Sequence, residues 1–65
     1  MGKVLVKLIE KVKLRNPYNE FEFLPKGIIG EVNEEEFKNQ DYFFVNFQHP
    51  YPSEKIMRDV VVRVN

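Results

Sequence analysis

The sequence predicts a small all-β domain, a five-stranded barrel with a long first loop and one short helical turn before the last strand. Three stretches support this fold class: residues 4–14 alternate apolar and polar side chains, residues 42–47 concentrate aromatic rings, and residues 60–64 are mostly valine. The chain has 65 residues. A chain of that length buries only about 60% of its unfolded surface, so residues 1–65 are predicted to form one domain with a thin core.

The first stretch is predicted to be a strand. Its even positions are Val4, Val6, Leu8, Glu10, Val12 and Leu14, so the alternation breaks once, and a bulge near Ile9 and Glu10 would account for the break. A helix is the open alternative, because Leu5, Leu8, Ile9 and Val12 also recur at three-and-four spacing. The valine content and the lack of an N-cap residue favour the strand.

Residues 15–26 are predicted to form a long loop or an irregular hairpin. Asn16 and Pro17 end the first strand, because proline lacks a backbone donor and steers the preceding residue away from helix. Phe21 and Phe23 alternate with glutamates, which predicts that both rings turn inward. Pro25, Lys26 and Gly27 are typical of the next turn.

A sharply bent strand is predicted over residues 27–32, with Gly30 admitting a close neighbour. Residues 33–41 are polar and predicted to be a loop, with one helical turn around Phe37 as the alternative. Residues 42–47 are then a strand with Phe43, Val45 and Phe47 facing the core. Tyr42 and Phe44 are expected on the other face, partly exposed unless a loop or partner covers them.

The end of the chain is predicted to hold a stiff connection, one helical turn and the last strand. Pro50 and Pro52 fix the backbone on both sides of Tyr51. Ser53 is a candidate N-cap for a turn over residues 53–59, with Ile56 and Met57 packing inward. Residues 60–64 close the chain as a β-branched strand.

Composition argues against catalysis and against a bound metal or cofactor. A pocket of several hundred Å³ would consume most of so small a core. The sequence has no cysteine and one histidine, so thiolate zinc sites are excluded and His49 is expected to be an ordinary loop residue. The acidic residues of the middle segment lack the spacing of a calcium loop and are expected to be solvated: Glu31, Glu34, Glu35 and Glu36.

The absence of cysteine and of an apolar signal segment predicts a cytoplasmic protein, and its hydropathy predicts no membrane span. Its ten basic and ten acidic side chains cancel, so no global field attracts nucleic acid or an anionic membrane. Uninterrupted apolar runs such as 4–6 and 60–62 are short, far below the length of a spanning helix. Local asymmetry remains, because the first strand region is basic and the middle is acidic.

The order of predicted elements, together with the run Pro25-Lys26-Gly27-Ile28-Ile29-Gly30-Glu31-Val32, resembles the SH3-like barrels over roughly residues 11–64. Residues 11–14 resemble their first strand, residues 42–47 the strand after the distal loop, and residues 56–59 the helical turn before their last strand. The similar families include the photosystem I accessory subunit of this fold, the variable chain of ferredoxin-thioredoxin reductase and KOW-type modules. The resemblance implies a non-catalytic barrel that docks on a larger assembly.

The candidate binding residues are aromatic rings expected outside the core and the basic side chains near them. Tyr18 and Tyr51, with Pro17, Pro50 and Pro52, would form an aromatic groove for an extended peptide. The alternative is that these rings cover a thin core. The predicted partner-binding set is Tyr18, Phe44, Tyr51, Lys11, Lys13 and Arg15.

The function that these observations favour is a protein-interaction module or a small accessory subunit that binds a larger protein, as a monomer or homodimer. A nucleic-acid-binding domain is the second hypothesis, with rings stacking on bases while Lys11, Lys13 and Arg15 contact phosphates. The neutral net charge argues against it, because phosphate contacts dominate such affinities. A compact inhibitor from a phage or mobile element fits the same features.

Overall fold

The computed structural model describes residues 2–18 and 21–65, and for residues 15–18 it describes the backbone alone. Seven strands, one short α-helix and one 3₁₀ turn make up this part of the chain. In order they are β1 Lys3–Leu8, β2 Val12–Tyr18, β3 Phe21–Leu24, β4 Ile29–Asn33, α1 Glu34–Asn39, β5 Tyr42–Phe47, β6 Glu54–Met57, the 3₁₀ turn Arg58–Val60 and β7 Val61–Arg63.

Five of the strands form one antiparallel sheet that curls strongly into a half-barrel, in the order β6-β5-β4-β1-β7. The other two strands, β2 and β3, form a separate hairpin. The predicted fold class is therefore confirmed, with five sheet strands and a helical turn directly before the last one. Of the two alternatives for residues 15–26, the structure shows the hairpin.

The core lies on the concave face of the curled sheet, and the hairpin contributes to it. Val6, Leu8 and Val45 are fully buried, and Phe43 is 1% exposed. From the hairpin, Leu14 and Leu24 join the same apolar cluster. We call the concave side the inner face and the opposite side the outer face. Alternation along each strand sends successive side chains to these two faces, as the sequence pattern predicted for β5.

Residues 4–14 form strand and not helix, but the prediction of one continuous strand was wrong. β1 ends at Leu8 and β2 begins at Val12, so Ile9 and Glu10 lie in a connection between two strands. Two backbone bonds hold this corner: the Ile9 N–H donates to the Val60 carbonyl at 2.9 Å and the Gly27 N–H to the Leu8 carbonyl at 2.8 Å. The break at Glu10 therefore marks the point where the chain leaves the sheet for the hairpin.

The prediction of a loop over residues 33–41 was also wrong, and the helical alternative is the one observed. Asn33 caps α1, because its side-chain oxygen accepts from the backbone N–H of Glu35 at 2.9 Å and of Glu36 at 3.2 Å. Phe37 packs against the buried cluster, with its ring centroid 5.3 Å from that of Phe43. The Asn33 cap and the apolar contact of Phe37 both help to hold these six residues in a helix.

The helical turn before the last strand begins later than predicted. Residues 54–57 form the edge strand β6, so Ser53 caps no helix and Met57 does not pack inward; it is 42% exposed. Ile56 is buried as predicted. The strand forms because β5 offers a full ladder, with Phe43 opposite Ile56 and Tyr42 opposite Met57, which outweighs the weak local preference for a turn.

Candidate interaction surface

Three large apolar side chains stand together on the outer face of β5 and β6. Tyr42 is 48% exposed, Phe44 is 54% exposed and Met57 is 42% exposed. Tyr42 lies directly opposite Met57 in the strand pair, and Phe44 lies opposite Lys55. We call these four residues the outer patch.

The outer patch follows from the sequence of β5, which carries rings on both of its faces. Phe43 and Val45 fill the core, so the alternation of a strand leaves Tyr42 and Phe44 outside. An aromatic side chain has roughly 150–250 Å² to bury, so half-exposed Tyr42 and Phe44 leave about 100 Å² each in solvent. With Met57 the patch approaches about 300 Å², the lower end of the range for the largest apolar patch on a typical monomer, and such patches are often functional.

A shallow depression of about 320 Å³ adjoins the outer patch on β1, β4 and β5. Its apolar floor includes Leu5, Ile29 and Gly30, and its polar rim is formed by Glu31, Asn46 and Gln48. Two side chains of the rim already form hydrogen bonds within the fold. The side-chain carbonyl of Gln48 accepts from the Ile29 N–H at 2.9 Å. The side-chain carbonyl of Asn46 accepts from the Ser53 hydroxyl at 2.5 Å. The depression therefore adds a recess to the outer face beside the outer patch.

Cations outnumber anions on the outer face of the sheet. Lys3 and Lys7 of β1 and Lys55 of β6 are exposed there, and Glu31 of β4 is the carboxylate among them. Lys3 and Glu31 form an exposed ion pair at 3.8 Å. Lys7 and Lys55 take part in no ion pair within the described part of the chain. The outer face is therefore both apolar and positively charged.

The predicted partner-binding residues do not all lie on one surface. Phe44 belongs to the outer patch, whereas Tyr51 is half-buried, packs against the core and places its ring centroid 5.0 Å from that of Phe21. Lys11 and Lys13 lie on the hairpin side, where the Lys11 ammonium is 4.5 Å from the centre of the Phe23 ring and Lys13 pairs with Phe23. The side chains of Arg15 and Tyr18 lie outside the described residues.

Phe23 corrects one further expectation. It was predicted to turn inward with Phe21, but its ring is 40% exposed beneath Lys11, and only Phe21 packs against the core. The hairpin register explains the difference, because Phe23 pairs with Lys13 while its neighbour Leu24 pairs with Val12 on the buried side.

Sequence reasoning missed Met57 and Lys55 as parts of a surface. Both were assigned to a helical turn, and the signal that could have found them is the alternation Glu54, Lys55, Ile56, Met57 with one buried and one exposed apolar residue. Tyr42 was expected to be exposed but was left out of the binding set. Its position two residues before Phe44 is sufficient to place both rings on one face.

The chain matches no protein-family model. Comparison with curated proteins and with solved structures finds no significant relative either. The function therefore has to be argued from the surface itself.

The described part of the chain holds no cluster of side chains that could bind a metal ion. No three His, Asp or Glu residues of that part converge as a metal site would require. His49 is exposed in the connection between β5 and β6, at a cis bond to Pro50. Among the described helices none is long and apolar enough to cross a bilayer.

Proposed function

We propose that the chain is a non-catalytic interaction module or small accessory subunit that docks on a larger protein through the outer patch. The observation that carries the proposal is the exposed cluster of Tyr42, Phe44 and Met57. Aromatic residues and methionine are enriched in the cores of protein interfaces, and a few such anchors supply most of the binding energy. Here they lie side by side on paired strands, which holds them rigidly before binding.

We further propose that the fold belongs with the SH3-like barrels. Three features support this: a curled five-stranded antiparallel sheet, a hairpin inserted between its first two strands along the chain, and a 3₁₀ turn immediately before its last strand. The same resemblance favours an accessory role, and the absence of cysteine from the sequence favours a cytoplasmic setting. Since one fold hosts many functions, the surface carries the functional argument and the fold only supports it.

Nucleic-acid binding is the second candidate, and one contact favours it. Lys11 stands over the exposed ring of Phe23, and Lys13 is the cross-strand neighbour of that ring. A ring with one ammonium group at its face and a second lysine opposite it in the strand pair can stack a base and contact phosphates. This hairpin surface is distinct from the outer patch, so one variant on each surface separates the two functions.

The deciding experiment compares Phe44→Ala with Phe23→Ala in affinity capture from the cells that produce the protein. Phe44 is 54% exposed and Phe23 40% exposed, and neither belongs to the buried core, so both variants are expected to fold. Loss of an interface anchor of about 2 kcal/mol reduces the affinity roughly 30-fold. We expect Phe44→Ala to lose the captured protein, and Phe23→Ala to retain it at about 0.15 M and at about 0.5 M salt.

Three results would contradict the proposal. One is capture of the same protein by Phe44→Ala with unchanged yield, which would remove the outer patch from the interface. A second is that the wild type recovers nucleic acid and that this recovery disappears at high salt. A third is that Phe23→Ala loses the captured material. Both would favour the second candidate.

A further inference from the structure

The edge strand β6 exposes backbone hydrogen-bonding groups beside the outer patch. In the described sheet β6 has β5 as its single neighbour. The Arg58 N–H donates to the Asp41 carbonyl at 2.8 Å, one position beyond the pair Tyr42–Met57. In an antiparallel ladder, facing pairs alternate between pairs that exchange hydrogen bonds and pairs that do not.

This alternation fixes which residues of β6 face the free edge. Because the Asp41–Arg58 pair is bonded, the Tyr42–Met57 pair is not, the Phe43–Ile56 pair is, and the Phe44–Lys55 pair is not. The N–H and C=O groups of Lys55 and Met57 therefore point away from β5. The bonds Gln48 N–H to Ile29 carbonyl and Val64 N–H to Leu5 carbonyl extend the same alternation consistently across the sheet.

The structure assigns β6 as the docking edge for an extended segment of the partner protein, which pairs with Lys55 and Met57 as a sixth strand. This inference rests on the proposed function and specifies that the partner binds through a segment in extended conformation. An added strand gains main-chain hydrogen bonds from the edge and specificity from alternate side chains. Here those side chains would lie on the outer face, next to Lys55 and Met57.

Charge defines the chemistry of that segment. Lys55 faces Phe44 across the strand pair and has no ion pair within the described residues, and its outer-face neighbours Phe44 and Tyr42 carry no charge that could neutralise it. Opposite charges across a strand pair stabilise it, as do apolar pairs. The segment therefore carries a carboxylate opposite Lys55 and, two residues away, an apolar side chain opposite Met57.

A second copy of this chain is a poorer occupant of the same edge. Two β6 strands paired about a two-fold axis place Lys55 directly opposite, or diagonal to, the Lys55 of the second copy. Like charges in those positions destabilise strand pairing. An acidic, apolar segment of another protein is therefore favoured over self-association.

Met57→Pro tests the backbone part of this inference. The φ angle of Met57 is −78°, which suits proline, and its N–H points to the free edge, so the substitution removes one outward donor and leaves the β5–β6 bonds intact. The probe is a fluorescein-labelled heptapeptide of threonines with one glutamate and one leucine two positions apart. We expect Met57→Pro to bind it roughly tenfold more weakly than the matched control Met57→Ala, which keeps the donor.

Lys55→Glu tests the charge part without touching the backbone. A second heptapeptide carries lysine in place of glutamate. The wild type is expected to prefer the glutamate peptide by about threefold, and Lys55→Glu to reverse that preference. In amide hydrogen exchange, the glutamate peptide is expected to slow Lys55 and Met57 of the wild type, whereas Ile56, already bonded to β5, changes little.

Equal binding by Met57→Pro and Met57→Ala, or no discrimination between the two peptides, would overturn the inference. Either outcome leaves the proposed function in place if Phe44→Ala still loses the captured protein. Conversely, edge pairing that survives while Phe44→Ala captures normally would mean that the outer patch is not the anchor.

Discussion

Gly30 occupies a position where the curled sheet leaves no space for a side chain. A Cβ atom there would lie 2.4 Å from Cγ1 of Val45 and 2.9 Å from Cδ1 of Phe47, both in the core side of the neighbouring strand. The close approach that the sequence predicted for this glycine is thus an approach of β5 side chains. It allows β4 and β5 to bend together around the core.

Substitution of Gly30 by alanine is expected to destabilise the fold. Overpacking of a filled core lowers the free energy of unfolding by about 1–3 kcal/mol, and urea denaturation followed by far-ultraviolet circular dichroism measures it. Gly2→Ala is the matched control, because its nearest contact is the flexible carboxylate of Glu34 at 3.0 Å. Similar stability of the two variants would show that the strands pack less closely at Gly30 than described here.

Two other residues show why the candidate surface was predicted only in part. Phe44 was placed correctly because its exposure follows from alternation within a single strand. For Tyr51 the sequence left open a binding groove or coverage of a thin core, and the ring is half-buried against Phe21 and packs on the core. Its burial depends on where the hairpin folds back onto the sheet, and no local pattern in residues 48–53 encodes that distance.

Arg58 joins two elements that are far apart along the chain. Its guanidinium donates to the carbonyl of Phe37 and, at 2.5 Å, to that of Gln40, and so caps the end of α1. The same group lies 5.0 Å from the ring centre of Phe37 and 5.5 Å from that of Phe43. A planar cation that stacks on rings and donates several bonds is arginine's particular capability.

Arg58→Met is expected to lower the free energy of unfolding by about 1–3 kcal/mol, because two carbonyls lose a charged donor while most of the apolar stem is kept. The free energy of unfolding of Arg58→Lys should lie between those of the wild type and Arg58→Met, since an ammonium group cannot reproduce the flat, forked contact of a guanidinium. Thermal denaturation provides the measurement. The exposed Arg63, which donates to the Asn65 carbonyl at 2.8 Å, gives the control Arg63→Met. Equal losses at both positions would rule out a specific role for Arg58.

At the level of elements, the long periodic strands were predictable and the short elements were not. The alternation of β1 and β5 gave their inner faces correctly. α1 and β6 have only six and four residues, and their identity depends on contacts from elsewhere: the Arg58 cap for α1 and the β5 ladder for β6. Local propensity is too weak to decide such short segments.

The molecule as a whole carries no net charge, and its charges are unevenly distributed. Acidic side chains dominate α1, with Glu34, Glu35 and Glu36 in its first turn. The charged side chains on the outer face of the sheet are mainly lysines, and Lys11 and Lys13 lie at the base of the hairpin. Such a distribution attracts a partner whose charges are opposite to those of one of these regions, but it gives little long-range attraction to a polyanion.

Elution from heparin tests this consequence. With ten basic and ten acidic side chains, the wild type is expected to elute below about 0.15 M salt, since only a few lysines can contact the polyanion at once. Retention above about 0.3 M would indicate a concentrated basic surface and favour nucleic acid as the ligand. Lys11→Glu would then locate that surface on the hairpin.

The rings on both faces of β5 also bear on how the strand finds its register. A slip of one residue would exchange Tyr42 and Phe44 with Phe43 and Val45, and hydrophobicity alone barely distinguishes the two arrangements. Asn46 breaks this near-symmetry, because the slip would bury its amide. The space over Gly30 breaks it again, since Val45 and Phe47 fill it. An interaction surface built from core-like residues thus leaves the correct register of β5 to depend on the amide of Asn46 and the missing side chain of Gly30.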